Sequence, residues 1–84
     1  GISHRLLAGA QFENNSSGKG VLVNNVLLGS PAAYSGLRPN DIIVGANKRK
    51  VYDIESFQKA LKLSESSMLL QINRNGVSLF VVLS

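Results

Sequence analysis

Few side chains in this sequence could do chemistry, and they are poorly placed for it. His4 is the only histidine, and there is no cysteine. Serine catalysis needs a histidine held by a buried carboxylate beside the nucleophile. His4 lies close to the start of the chain, with no partner spacing around it, and no Gly-x-Ser-x-Gly turn occurs. His4 and the carboxylates show no metal-ligand spacing either. The expectation is a chain that is not an enzyme and carries no metal or cofactor. The basic residues suggest a different chemistry. Nine Lys and Arg against five Asp and Glu leave a net charge of +4, which would favour an anionic partner. They are scattered, however, and only Lys48-Arg49-Lys50 adjoin one another. A nucleic-acid footprint usually needs several phosphate contacts. We read this run as a solvated basic turn and expect no nucleic-acid partner.

Eighty-four residues make one domain, 1–84, with residues 1–6 expected as a frayed linker end. A hydrophobic share of 44% with 17% charged residues is that of a globular protein. No apolar run approaches the roughly 20 residues of a membrane span, so no membrane insertion is expected. No signal peptide is visible. A start at Gly1 without methionine reads as a fragment of something longer.

Asn14-Asn15-Ser16-Ser17-Gly18-Lys19-Gly20 is a polar, glycine-rich loop. Val21 to Leu28 is nearly continuous in apolar residues and reads as a strand buried on both faces, with Asn24-Asn25 as a polar break. Ser30 suits an N-cap and Pro31 the first position of a short helix, which Gly36 can end in a left-handed conformation. Ile42-Ile43-Val44 is a strand, Asn47 to Lys50 a tight polar turn, and Val51-Tyr52 a short strand. Asp53 caps a second helix, where Ile54, Phe57 and Leu61 form an apolar stripe with Ala60 beside it. Met68, Leu70 and Ile72 alternate with polar or outer residues up to Asn75-Gly76, a preferred two-residue hairpin turn. Val77, Leu79, Val81 and Leu83 alternate again beyond it. The fold class is α+β: a small curled antiparallel sheet of five to six short strands, closed by two helices.

The stretch Ser30-Pro31-Ala32-Ala33, then Gly36-Leu37, then Asp41-x-Ile43 and Asn47, resembles the central signature of PDZ domains from bacterial proteases. Gly20-Val21-Leu22-Val23-Asn24-Asn25-Val26 fits the strand before it, and the resemblance runs from about Leu7 to Leu83. It is most similar to the C-terminal, second PDZ domain of DegP- and DegQ-like HtrA proteases. Lys48 departs from the pattern, which often has glycine after the asparagine. In physical terms the signature is scaffold: Pro31, Ala32 and Ala33 pack a short helix on the sheet, Leu37 enters the core, and Asp41 accepts hydrogen bonds from the turn backbone.

The resemblance implies a function. PDZ domains bind peptide C-termini by strand addition, in a groove between one strand and the second helix. A glycine-containing loop before that strand points successive N–H groups at the terminal carboxylate. The matching stretch is Leu7-Ala8-Gly9-Ala10, with Ala8, Gly9 and Ala10 as the carboxylate amides. Leu7 and Phe12, and from the helix Ile54, Gln58 and Leu61, are carried over as groove residues. Phe57 and Ala60 then face the core, Lys62 lies near the pocket end, and Arg5 could attract the carboxylate. The implied partners are peptide or unfolded-protein C-termini, together with the protease domain and neighbouring subunits of a parent protein. The implied compartment is the bacterial periplasm. The alternative is a structural domain that holds protease subunits together with little peptide binding. Charge-assisted hydrogen bonds of roughly 1.5–3 kcal/mol each, set against peptide ordering, predict affinity on the order of micromolar or weaker.

Overall fold

Alternating apolar positions build the sheet, and two capped apolar segments build the helices. The computed structural model describes residues 2–64 and 66–84. Six strands run β1 (Ala10–Asn14), β2 (Val21–Val26), β3 (Ile42–Ala46), β4 (Arg49–Lys50), β5 (Met68–Arg74) and β6 (Val77–Leu83). The helices are α1 (Pro31–Ser35) and α2 (Ile54–Leu61). The sheet order is β1-β2-β3-β5-β6, all antiparallel, with β4 paired to β3. β1 and β6 are therefore its outer strands. Val21, Val23, Ile43, Phe57, Leu70 and Ile72 are fully buried and form the centre of the core.

The helix boundaries follow from their caps. Ser30 is extended and its Oγ accepts from Ala33 N at 3.2 Å. Pro31 opens α1, and Gly36 closes it at φ 100°. Asp53 and Ser56 form a reciprocal capping box at the start of α2. The Ser56 backbone N–H, then its hydroxyl, hold the Asp53 carboxyl below its ordinary range. A depressed carboxylate stabilises the fold above its unfolded pKa, and that stabilisation is lost as pH falls through the lowered value.

Two expectations need correction. The strand drawn from Val21 to Leu28 stops at Val26 and is not buried on both faces. Asn24 and Asn25 are exposed, and Leu27 and Leu28 stand in a turn, with Leu28 99% exposed. The short strand expected at Val51-Tyr52 sits two residues earlier, at Arg49–Lys50, while Val51 drops into the core. Of the end expected to fray over residues 1–6, Gly1 lies outside the described residues. Arg5–Leu7 is a 3-10 turn capped by His4, whose Nδ1 accepts from Leu6 N, and Leu6 and Leu7 are buried.

Candidate functional site

The loop between the 3-10 turn and β1 is shaped from outside. Gly9 has φ 95°, and a Cβ there would collide with Cβ and Oγ of Ser30. Glycine is required on both counts. Its carbonyl accepts from Leu27 N at 2.9 Å, and the Ala8 carbonyl accepts from Ala32 N at 3.1 Å. Ser30 Oγ in turn donates to Leu27 O at 2.6 Å. The carbonyls of Ala8 and Gly9 are thus drawn toward α1 and its entry turn. The Ala8 N–H leans on Arg5 O at 3.4 Å, a long bond, and no backbone carbonyl among the described residues accepts from the Gly9 N–H. A hollow lined by Ile2, Arg5, Leu7, Ala8, Gly9 and Ala10 opens beside this loop.

The ladder decides which backbone groups of β1 remain free. Ala10 lies opposite Val26 and Phe12 opposite Val23, with an irregularity between Gln11 and Phe12. Gly9 is bonded to Leu27 across the ladder. Bonded and non-bonded pairs alternate in antiparallel strands, so Gln11 is bonded to β2 and Ala10 is not. Val23 spends both its backbone groups on the turn before β3: its N–H donates to Asp41 O and its carbonyl accepts from Asn40 N, each at 2.8 Å. Phe12 opposite it therefore has no bond across to β2. The N–H and C=O of Ala10 and Phe12 point to the free edge of β1, where α2 stands rather than another strand.

The side chains assigned from sequence divide into two groups. Phe12 is half-buried and meets Phe57 of α2 edge-on, with ring centroids 5.5 Å apart. Ala10, Ile54 and Gln58 are also half-buried, and Ala10 and Ile54 pack against the core. These line the strand–helix seam. Leu7 and Leu61 are buried with the core, at 3% and 6% exposure, as are Phe57 and Ala60. Leu7 also lines the hollow beside the Gly9 loop. Arg5 is exposed beside the loop, and Lys62 is exposed at the C-cap of α2.

Three long-range links that hold this frame escaped the sequence reading. Asp41, only 1% exposed, accepts from Arg38 N in its own turn at 2.9 Å, as the signature implied. It also accepts from Arg74 Nε at 2.8 Å and from Arg74 Nη2 at 2.9 Å. Arg74 Nη2 donates further to Gly36 O at 2.8 Å, joining the end of α1 to the closing hairpin. The Asp41 hydrogen bonds raise the Arg74 guanidinium pKa further still. Asn47 spans another junction: its Nδ2 donates to Ala60 O at 3.0 Å and its Oδ1 accepts from Leu69 N at 3.0 Å. Asn14 Oδ1 accepts from Ile54 N at 2.8 Å, tying β1 to the start of α2. Only a polar residue at a strand end or turn hinted at each of these.

Comparisons with known proteins agree with this geometry. The PDZ domain family model matches residues 7–82. The chain is 36% identical over 77 residues to the periplasmic serine endoprotease DegP of Escherichia coli (strain K12), covering 92% of this chain and 16% of that protein. It is 36% identical over 66 residues to the periplasmic pH-dependent serine endoprotease DegQ of the same organism, covering 79% of this chain and 14% of that protein. Among solved structures, the HtrA3 PDZ domain bound to the phage-derived ligand FGRWV superposes with a TM-score of 0.77 at 27% identity, over 90% of this chain and 80% of that one. The HtrA-type protease AlgW with a decapeptide gives 0.63 at 26% identity, over 75% of this chain and 20% of that one. The loop before β1, the free strand edge beside α2 and the match over residues 7–82 converge: the chain belongs to the PDZ domain family, and its relatives are HtrA-type proteases.

Proposed function

We propose that this domain binds the free C-termini of polypeptides by adding them as a strand to β1. It would serve as a substrate-binding or regulatory module of an HtrA-type serine endoprotease in the periplasm. The domain itself takes no part in bond cleavage on this reading; the catalytic apparatus belongs to the parent. The observation that carries the proposal is the pair of unpaired N–H and C=O sets on Ala10 and Phe12, continuous with the Gly9 loop. A peptide antiparallel to β1 would place its carboxylate against the amides of Ala8, Gly9 and Ala10, with Arg5 adding long-range attraction. Its last side chain would lie over Ala10 and its third-last beside Phe12 and α2. The HtrA3 PDZ domain bound to a phage-derived ligand and AlgW with a decapeptide support a peptide as the partner.

The test is a titration of the domain with a library of free-acid peptides and their amidated copies. Free acids are expected to bind at least about tenfold more tightly, because amidation removes a charge-assisted bond. Equal affinities would remove the carboxylate site. Gln58→Glu places a negative charge near the bound carboxylate and is expected to weaken binding by about 1 kcal/mol, read beside a thermal melt of the same variant. A second reading, a subunit-holding role, draws on one observation. Phe80 and Val82 are 67% and 71% exposed on β6, at the opposite edge of the sheet from β1. It predicts that no peptide in the library binds.

A further inference from the structure

The seam between β1 and α2 does not stay open along its whole length. Its far end is bridged twice. Asn14, the last residue of β1, accepts the Ile54 N–H at 2.8 Å through its side-chain oxygen. Gly20, at the other side of the β1–β2 loop, donates its N–H to Tyr52 O at 2.9 Å. Both bonds join the β1–β2 hairpin to the segment that enters α2. The Ile54 N–H is one of the orphan donors of a helix start, and Asp53 and Ser56 do not use it; their reciprocal capping bonds run through the N–H groups of Ser56 and Asp53. Asn14 thus completes the helix N-terminus from another element.

Ala10, Phe12 and Asn14 share one face of β1 by the two-residue strand period, and the register assigns each a peptide position. With the carboxylate at the Gly9 loop, the last peptide residue lies opposite Ala10. The third-last lies opposite Phe12, and the fifth-last opposite Asn14. Where the fifth-last side chain would turn inward, the Asn14–Ile54 bond already joins strand to helix. Resting on the peptide-binding reading above, we infer that Asn14 is a length-limiting residue: its bond to Ile54 closes the groove after four peptide residues. Residues farther from the carboxylate leave the seam toward solvent and add little. This fits a module that must accept many different C-termini, since only the last few residues are read.

The experiment takes the tightest free-acid octapeptide from the library and truncates it from its N-terminus to six, five, four and three residues. For the domain as it stands, affinity is expected to rise up to four residues and then change by less than about twofold. Asn14→Ala removes the acceptor, and its affinity is expected to climb a further fivefold or so between four and six residues, the worth of about one added hydrogen bond. Asn14→Asp keeps an acceptor for Ile54 N and should restore the plateau. Ile54→Pro removes the donor at a helix position that tolerates proline and should abolish the plateau whatever its absolute affinity. These comparisons are made within each variant, so a general loss of affinity does not blur them. A steady gain of more than about threefold from four to six residues in the unaltered domain overturns the inference. So does an unchanged plateau in both Asn14→Ala and Ile54→Pro. If no peptide of any length binds, the peptide-binding reading itself fails, and the length limit falls with it.

Discussion

The two sides of this domain treat polar groups in opposite ways. Around β3, β5 and the closing hairpin, the buried Asp41 and the half-buried Asn47 are bonded through both ends of their side chains. Asp41 takes bonds from Arg38 and Arg74, and Asn47 both donates to α2 and accepts from β5. No buried side-chain nitrogen or oxygen among the described residues lacks a partner. Along β1 the main chain does the reverse, leaving the backbone groups of Ala10 and Phe12 without a strand to bond. Buried, unsatisfied groups would be costly; at an open edge they are solvated, and a ligand can take the water's place. Stability is concentrated where polar groups are closed off. Recognition is possible where they are left open.

The sharpest way to break this contrast is to open the closed side. Asp41→Ala strips Arg74 of its carboxylate and the Arg38 N–H of its acceptor. Removing one partner of a buried pair typically costs about 3–5 kcal/mol, and the lower end is expected here because Arg74 can turn toward solvent. Denaturant unfolding measures the loss. Peptide affinity, measured where the variant is still folded, should stay within about twofold. A selective loss of binding without a loss of stability would place Asp41 in the recognition machinery instead.

A change on the open side should behave in the opposite manner. Gly9→Ala forces a side chain onto a left-handed backbone and into Ser30. Destabilisation of about 2 kcal/mol is expected, with peptide binding reduced well beyond what the lost stability explains. Paired melts and isotherms separate the two effects, and unchanged affinity in the folded variant would detach the loop from recognition.

The smallest effect sharpens the comparison within the closed side. Asn75-Gly76 and Asn47-Lys48 both turn their hairpins with two residues at positive φ, at 53° and 83° in the first and 52° and 68° in the second. Lysine carries a Cβ penalty there that glycine does not. Lys48→Gly is expected to raise stability by about 0.5–1 kcal/mol, after allowing for the greater chain entropy of glycine. Thermal unfolding checks the sign; a lower melting temperature would mean that Lys48 contributes contacts that offset its strain.

Local signals in the sequence were enough for much of the fold. The closing hairpin was legible because alternation and Asn75-Gly76 are adjacent in the chain. The caps Ser30 and Asp53 act within three residues of themselves. The overrun at Leu27-Leu28 shows the limit of that method: apolar residues in a row mark burial only when something covers them, and nothing in the local sequence says that the chain turns away. The Arg74–Asp41 pair, the Asn47 bridge and the Asn14 bond were hidden because each joins distant segments. The groove residues Leu7, Phe12, Ile54, Gln58 and Leu61 all rest on correspondence with the family. Which of two adjacent apolar faces stays half-open depends on how closely α2 approaches β1, and residue type does not encode that distance.

The alternating ladder of β1 has a consequence in hydrogen exchange. By the alternation of the ladder, the amides of Gln11 and Glu13 turn to β2, whereas those of Ala10 and Phe12 turn to the open edge. In deuterated solvent the free strand should label every second residue, with Ala10 and Phe12 exchanging quickly between slower neighbours. A bound strand would slow those two and leave Gln11 and Glu13 almost as they were. The comb-like pattern would fade into a uniform one, so β1 itself reports occupancy residue by residue.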